Sequence, residues 1–308
     1  MIKELSKKNI IEDHDINFKE TVLVTGGNSG IGLEFVKLCL QENYKVIFTV
    51  RSKEKGENTL SLLRSEFKSF QASYMILDLL DFNSIDSFIN EIKTNKIDID
   101  HFYHNAGVYR LPFKMIDKYE LNFLTNYFAP YYITEKLSDY FQSLNHPVHI
   151  NFIFSVTTFF YKFDIIKFNP DKQLSKTNNY AQTKHAIKNA YLYFSNKYKN
   201  TNLNFTLTHP GSAYTPLIDK GYKMGKFFHA IAAGFMKIFF HSPKKASYSY
   251  RATLRISREN SYVAPRGFLQ ISGYPTYKKL KWKYNNELIE KTNALLKERL
   301  WRHTSSQD

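Results

Sequence analysis

Tyr180 and Lys184 stand at positions i and i+4, so on a helix they share one face and can address a single ligand. A free phenol has a pKa near 10, too high for ready proton exchange at neutral pH, and an ammonium beside it favours the phenolate. The pair is therefore equipped for general acid–base work at an oxygen atom. That is the proton step that must accompany hydride transfer to or from a carbonyl carbon. Spacing alone does not carry this reading, because the chain holds 22 tyrosines and most Tyr-x-x-x-Lys pairs decorate a surface. Place carries it: the pair follows Ser155, a hydroxyl at the end of an apolar run, and Asn126, which stands in a stretch of helical spacing.

Such side chains need a frame, and the frame is written as short β-rich runs separated by helical stretches. The runs are Thr21–Thr25, Lys45–Val50, Ser73–Asp78, Ile99–Asn105, Val148–Ser155, Leu203–Thr208 and Gly267–Ile271. Between them Leu33–Gln41, Ser84–Ile92, Asn122–Phe141 and Asn179–Tyr198 carry helical periodicity. In the last, Thr183, Ile187, Ala190, Tyr191 and Phe194 form one stripe. Alternating strands and helices predict βα units on a parallel sheet, and runs that are apolar on both sides predict helices on both faces. The expected fold is a doubly wound α/β sheet of about seven strands.

Directly after the first run comes Thr25-Gly26-Gly27-Asn28-Ser29-Gly30-Ile31-Gly32, which opens the first helix. Glycines there admit positive φ and let the backbone approach a pyrophosphate, whose charge lies against free N–H groups at the positive end of the helix dipole. A glycine-rich turn without a ligand is the plain alternative. The strand–loop–helix context favours a dinucleotide site.

The spacing Thr-Gly-x-x-x-Gly-x-Gly resembles the fingerprint of the short-chain dehydrogenase/reductase family, and the likeness continues in order from about Thr21 to Leu217. Asp78 ends the third run and is followed by Leu79; Asn105-Ala106-Gly107 ends the fourth, with His104 where the family has a further Asn; Asn126 and Ser155 follow. Tyr180 lies 25 residues after Ser155, a gap similar to that of the retinol-dehydrogenase-like branch. Thr208-His209-Pro210-Gly211 and Thr215 resemble the family's Pro-Gly segment. The resemblance implies a Rossmann fold and an NAD(P)-dependent oxidoreductase. In it, Tyr180 would be the acid–base, Lys184 would bind the nicotinamide ribose and lower the Tyr180 pKa, Ser155 would hold the substrate oxygen, and Asn126 would hold a relay water. It also implies that Asp78 meets the adenine, that Asn105, Ala106 and Gly107 border the cofactor, that Pro210, Gly211 and Thr215 meet it, and that two long helices build a homodimer or homotetramer.

Arg51 follows the second run, where an acid would bind the adenosine ribose of NAD. An Arg there can pair with the phosphate of NADP, with Ser52 and Lys53 as helpers, so the expected cofactor is NADP(H), with NAD the alternative. Val156–Tyr161 and the apolar stretch Lys226–Phe240 fall where the family shapes its substrate pocket, which suggests a hydrophobic alcohol or carbonyl compound. The competing reading is a lid, around 217–245, packed on its own core.

With 43% hydrophobic and 23% charged residues, the composition is that of a globular protein. The formal charge of +15 is spread along the chain, which reads as a solvated basic surface with no nucleic-acid stripe, while leaving room for weak attraction to an anionic membrane surface. The single Cys39 permits no intrachain disulfide, points to a reducing, cytoplasmic compartment, and reads as a small buried apolar residue. Neither His101/His104 nor His146/His149 suggests a metal site, since each pair lies in or beside an expected strand with no carboxylate or thiolate cluster at useful spacing. No linker or repeat divides the sequence, so an N-terminal extension, 1–20, and one dehydrogenase domain, 21–308, are expected. A non-catalytic dinucleotide-binding regulator on the same fold is the alternative function; Ser155, Tyr180 and Lys184 together speak against it.

Overall fold

The computed structural model describes residues 20–301 apart from 173, 212–241, 256–260, 268–269, 271–272 and 281. Thr215, most of the expected extension 1–20 and all but the last four residues of the expected lid 217–245 lie outside these.

Eight strands form one sheet: β1 (Thr21–Val24), β2 (Lys45–Val50), β3 (Ala72–Ile76), β4 (His101–His104), β7 (Val148–Ile153), β8 (Leu203–Thr208), β9 (Ser261–Pro265) and β10 (Pro275–Lys279). Their order is β10-β9-β8-β7-β4-β1-β2-β3, parallel throughout except for β10. Two further short strands, β5 (Met115–Ile116) and β6 (Tyr119–Glu120), make a separate hairpin. The winding direction reverses at β1, which pairs with β2 on one side (Val22 with Val46) and β4 on the other (Val22 with His101). A crevice opens at the carboxyl ends of the strands at such a switch point.

Helices cover both faces. On one lie α1 (Gly30–Gln41), α2 (Lys53–Glu66) and α8 (Pro243–Arg255), closing a core that includes Val22, Val24, Phe35, Cys39, Phe48 and Tyr103. On the other lie α3 (Phe82–Thr94), α5 (Ala129–Gln142), α7 (Lys176–Lys197) and α9 (Asn286–Trp301), over Leu23, Phe102, Phe152 and Phe194. Burying one such Phe contributes about 1.5–3 kcal/mol. The Thr183, Ile187, Ala190, Tyr191 and Phe194 stripe is buried as its spacing requires. Asp81 caps α3 by accepting from the Asn83 amide, and Ser175 caps α7 by accepting from that of Asn178.

Several sequence expectations shift. The parallel strand after β8 is Ser261–Pro265; of the expected run Gly267–Ile271, Gly267 forms a bend and Gln270 a 3₁₀ turn, and 268–269 and 271 lie outside the described residues. An antiparallel β10 adds an eighth strand, with Pro275 facing Pro265 at the sheet's edge, where an absent amide donor is tolerated. The third and fifth strands end at Ile76 and Ile153, two residues before Asp78 and Ser155. The stretch 122–141 is not one helix: α4 (Leu121–Phe123) runs into a π turn, Leu124–Phe128, before α5 begins. The helix α2 lies outside the stretches whose spacing announced a helix.

Candidate active site

A cleft of about 500 Å³ runs along the carboxyl ends of the strands, from the amino end of α1 to α7. Gly26 and Gly30 adopt φ of 65° and 57°, the left-handed region open to glycine without strain. The Gly26 amide donates to Thr49 Oγ1 at 3.1 Å, pinning the loop to β2. Gly32 is demanded by contact: a Cβ there would fall 2.5 Å from both the Asn105 Nδ2 and the Gly26 carbonyl oxygen. Asn105 Nδ2 donates to the carbonyls of Thr25 (2.8 Å) and Gly26 (3.3 Å), and Ala106 N donates to Thr25 Oγ1 at 2.9 Å. Thr25 thus lies beneath the loop as a brace, buried, while Asn28, Ser29, Gly30, Ile31 and Gly32 line the cleft. The Ser29 side chain does not cap α1, which leaves the first-turn N–H groups without a side-chain acceptor, as an anion site requires.

Sequence reasoning missed a partner here. Tyr250, buried on α8, donates to Asn105 Oδ1 at 3.0 Å and lines the cleft. A helix far along the chain therefore holds the residue that holds the loop.

At the end of β2, Arg51 lines the cleft with its side chain 53% exposed and its Nε 3.9 Å from Asp78 Oδ1. The second cation at this end is Lys55 and not Lys53, because Ser52 caps α2 by accepting from the Lys55 amide and the first turn carries Lys55 to the cleft. Leu79 and Leu80 form the wall opposite. Asp78 shapes that turn, accepting from the Leu80 amide at 3.0 Å, and is not itself a lining residue.

At the other end Ser155, Tyr180 and Lys184 come together, with Ala106, Gly107, Pro210 and Gly211 alongside. Tyr109 meets the Tyr180 ring edge-on, centroids 4.7 Å apart. Burial, reinforced by Tyr109, holds the Tyr180 hydroxyl above its ordinary pKa, and the Ser155 hydrogen bond works in the opposite direction. Lys184, buried, donates from Nζ to the Ile153 carbonyl at 2.9 Å and stands 5.7 Å from the Tyr180 ring centre. Desolvation lowers its pKa to about 8.

Asn126 sits on the π turn, below the cleft wall. Its Oδ1 accepts from Val108 N (2.7 Å) and its Nδ2 donates to the Val108 carbonyl (2.9 Å) and to Thr183 Oγ1 (3.2 Å). A Cβ on Gly107 would lie 2.9 Å from Asn126 Oδ1 and 4.0 Å from Lys184 Nζ, so Gly107 is what lets these two groups approach. His104, in place of the first Asn of the family's Asn-Asn-Ala-Gly, finds its own partner. Thr134 donates to the Pro130 carbonyl (2.8 Å), which leaves its oxygen to accept from His104 Nε2 at 2.9 Å. The strand is thereby tied to α5 by a neutral imidazole whose pKa burial lowers to about 3. Among the described residues no group of three or more His, Cys, Asp or Glu is arranged to hold a metal ion.

The sequence model of the short chain dehydrogenase family matches residues 20–224. A short-chain dehydrogenase/reductase of Armillaria gallica is 34% identical over 120 residues, 38% of either chain. Mouse retinol dehydrogenase 14 is 27% identical over 212 residues, covering 64% of this chain and 62% of that protein. The chain matches little more than a third of the length of the Armillaria relative and 30% of that of a Drosophila WW domain-containing oxidoreductase. The crystal structure of an alcohol dehydrogenase from Thermococcus sibiricus, complexed with 5-hydroxy-NADP, shares the fold at 17% identity and a TM-score of 0.57, over 78% of this chain and 92% of that one.

Proposed function

The chain belongs to the short-chain dehydrogenase/reductase family, and we propose that it is an oxidoreductase interconverting an alcohol and a carbonyl compound with NADP(H). One observation carries this reading: an uncapped helix N-terminus behind a glycine loop and a Ser155–Tyr180–Lys184 cluster sit at the two ends of one cleft. The loop and first turn of α1 fit a pyrophosphate, and Ala106, Gly107, Pro210 and Gly211 fit the nicotinamide half. When bound, the nicotinamide cofactor gives or takes the hydride at the carbonyl carbon.

In the reducing direction Ser155 holds the substrate oxygen and Tyr180 gives it a proton as the carbon gains the hydride; in the oxidising direction Tyr180 takes that proton back. Tyr180 holds its proton tightly in the cleft as it stands, and the Lys184 ammonium and a cationic nicotinamide ring are what bring the phenolate within reach. Lys184 would also hold the ribose hydroxyls of a bound cofactor, and Asn126 would hold a relay water. Arg51 with Lys55 favours the phosphate of NADP over the bare ribose of NAD. The apolar Val156 and Phe154 on the wall beside Ser155 favour a hydrophobic substrate, and the single buried Cys39 a reducing, cytoplasmic setting.

The test is a panel of hydrophobic aldehydes, ketones and alcohols followed at the nicotinamide absorbance, beside Tyr180→Phe. The variant is expected to bind NADPH like the wild type and to lose at least about 10²-fold of turnover, the lower range of a general acid–base contribution. Turnover that survives Tyr180→Phe overturns the mechanism.

A further inference from the structure

The two segments flanking the mouth of the cleft carry most of the large apolar side chains that stand in solvent. Of the seven exposed large hydrophobic residues among the described ones, Phe159 (45%), Phe160 (62%) and Ile166 (86%) lie between Ser155 and Tyr180, and Met115 (36%) lies on the β5–β6 hairpin just past Tyr109 and Leu111. The segments are pinned together: Asn169 donates to the Lys118 carbonyl at 2.9 Å and accepts from the Glu120 amide at 2.8 Å. Phe160 ends a four-residue helix, α6 (Thr157–Phe160), and Ile166 crowns a 3₁₀ turn, Ile165–Lys167, so both are presented at bends and not as part of a flat face.

The apolar tips alternate with cations. Residues 109–120 and 157–176 hold seven basic side chains against three acids that reach solvent, and one of these, Asp164, is already paired with Lys167 at 2.8 Å. Lys114, Lys162 and Lys172 are exposed. This interleaving decides between occupants. A second protein surface would have to desolvate the exposed ammonium groups of Lys114, Lys162 and Lys172 among these apolar tips, which is costly. At a lipid interface apolar tips enter the acyl boundary while lysine stems rise to the phosphates, so each group keeps its preferred solvent.

We propose that this rim docks the protein on an anionic lipid surface, with Phe159, Phe160 and Ile166 inserted and Lys114, Lys162 and Lys172 on the headgroups, so that the cleft opens onto the membrane. The proposal goes beyond the reaction and is tested without turnover. Full-length protein is co-sedimented with phosphatidylcholine vesicles and with phosphatidylcholine vesicles containing phosphatidylglycerol, using Phe160→Asp, Ile166→Asp, the double variant, and Leu62→Asp on α2 as a control.

The wild type is expected to bind the anionic vesicles, to bind neutral ones far less, and to release as salt is raised. Each rim variant should bind about tenfold more weakly, with Leu62→Asp and the NADPH affinity of all variants unchanged. Four results would each overturn the proposal: no binding by the wild type; equal binding by the double variant; a dimer lost in the double variant without vesicle binding, which assigns the rim to a second copy; or a fall of several degrees in the Tm of the rim variants, which assigns it to cover by this chain's own 212–241.

Discussion

Arg51→Ala should weaken NADPH binding about tenfold and leave NADH binding where it was. A net hydrogen bond to a charged group is worth about 1.5–3 kcal/mol. The Arg51 side chain is half in solvent, and Asp78 Oδ1, 3.9 Å from its Nε, competes for the guanidinium. Both features place the loss near the lower end, about 1.5 kcal/mol, which is close to a factor of ten. Lys55→Ala should act in the same direction, and the discrimination should shrink as salt rises, because screening shortens from about 10 Å at 0.1 M to 3 Å at 1 M. Titrating wild type and variants with NADPH and NADH, followed by cofactor fluorescence, reads the ratio directly. A wild type that prefers NADH, or a variant that loses affinity for both cofactors in parallel, refutes the assignment of Arg51 to the 2′-phosphate.

Gly32→Ala places a Cβ 2.5 Å from the Gly26 carbonyl oxygen, a backbone atom that can yield only if the loop opens. A cost of about 1–3 kcal/mol follows, seen as a Tm lower by roughly 5 °C and an NADPH affinity reduced tenfold or more. Tyr250→Phe removes the donor to Asn105 Oδ1 and should cost about 1 kcal/mol in denaturant melts while raising the NADPH Kd a few-fold and sparing kcat. His104 stays neutral in the fold with a pKa of about 3, whereas the unfolded chain takes up a proton below about 6.5. Stability from this residue is therefore complete above pH 6.5 and is lost as pH falls, by about 2 kcal/mol at pH 5. His104→Asn, measured by urea melts at pH 7.5 and 5, should flatten that slope; an unchanged slope removes His104 from the account.

The groups that could be placed together in advance were those packed into short stretches. The glycine loop needs only its own turn and the helix after it, and Tyr180 with Lys184 needs only one turn of α7. Tyr250 acts on Asn105 across 145 residues with no periodic signal between them, and it becomes visible only when α8 packs beside α1. Lys55 was overshadowed by Lys53 because the orientation of α2 depends on which residue Ser52 caps. The strand Ser261–Pro265 escaped notice because the more apolar Gly267–Ile271 outweighed it and its own proline fits only near an edge. The helix α2 escaped notice since only Gly56, Thr59, Leu60 and Leu63 are buried in it.

The π turn at Leu124–Phe128 bears on which length changes the chain can accept. A π turn is an α-helix carrying one surplus residue, and removing that residue would let α4 run straight into α5. Every side chain on one side of the deletion would then rotate by about 100° relative to the other, since an α-helix has 3.6 residues per turn. Asn126 would leave Val108 and Thr183, or else Tyr127 and Tyr131 would leave Thr292 and Asn293 on α9. Point substitutions can accumulate along this stretch, but its residue count is frozen, held at one end by α7 and at the other by α9.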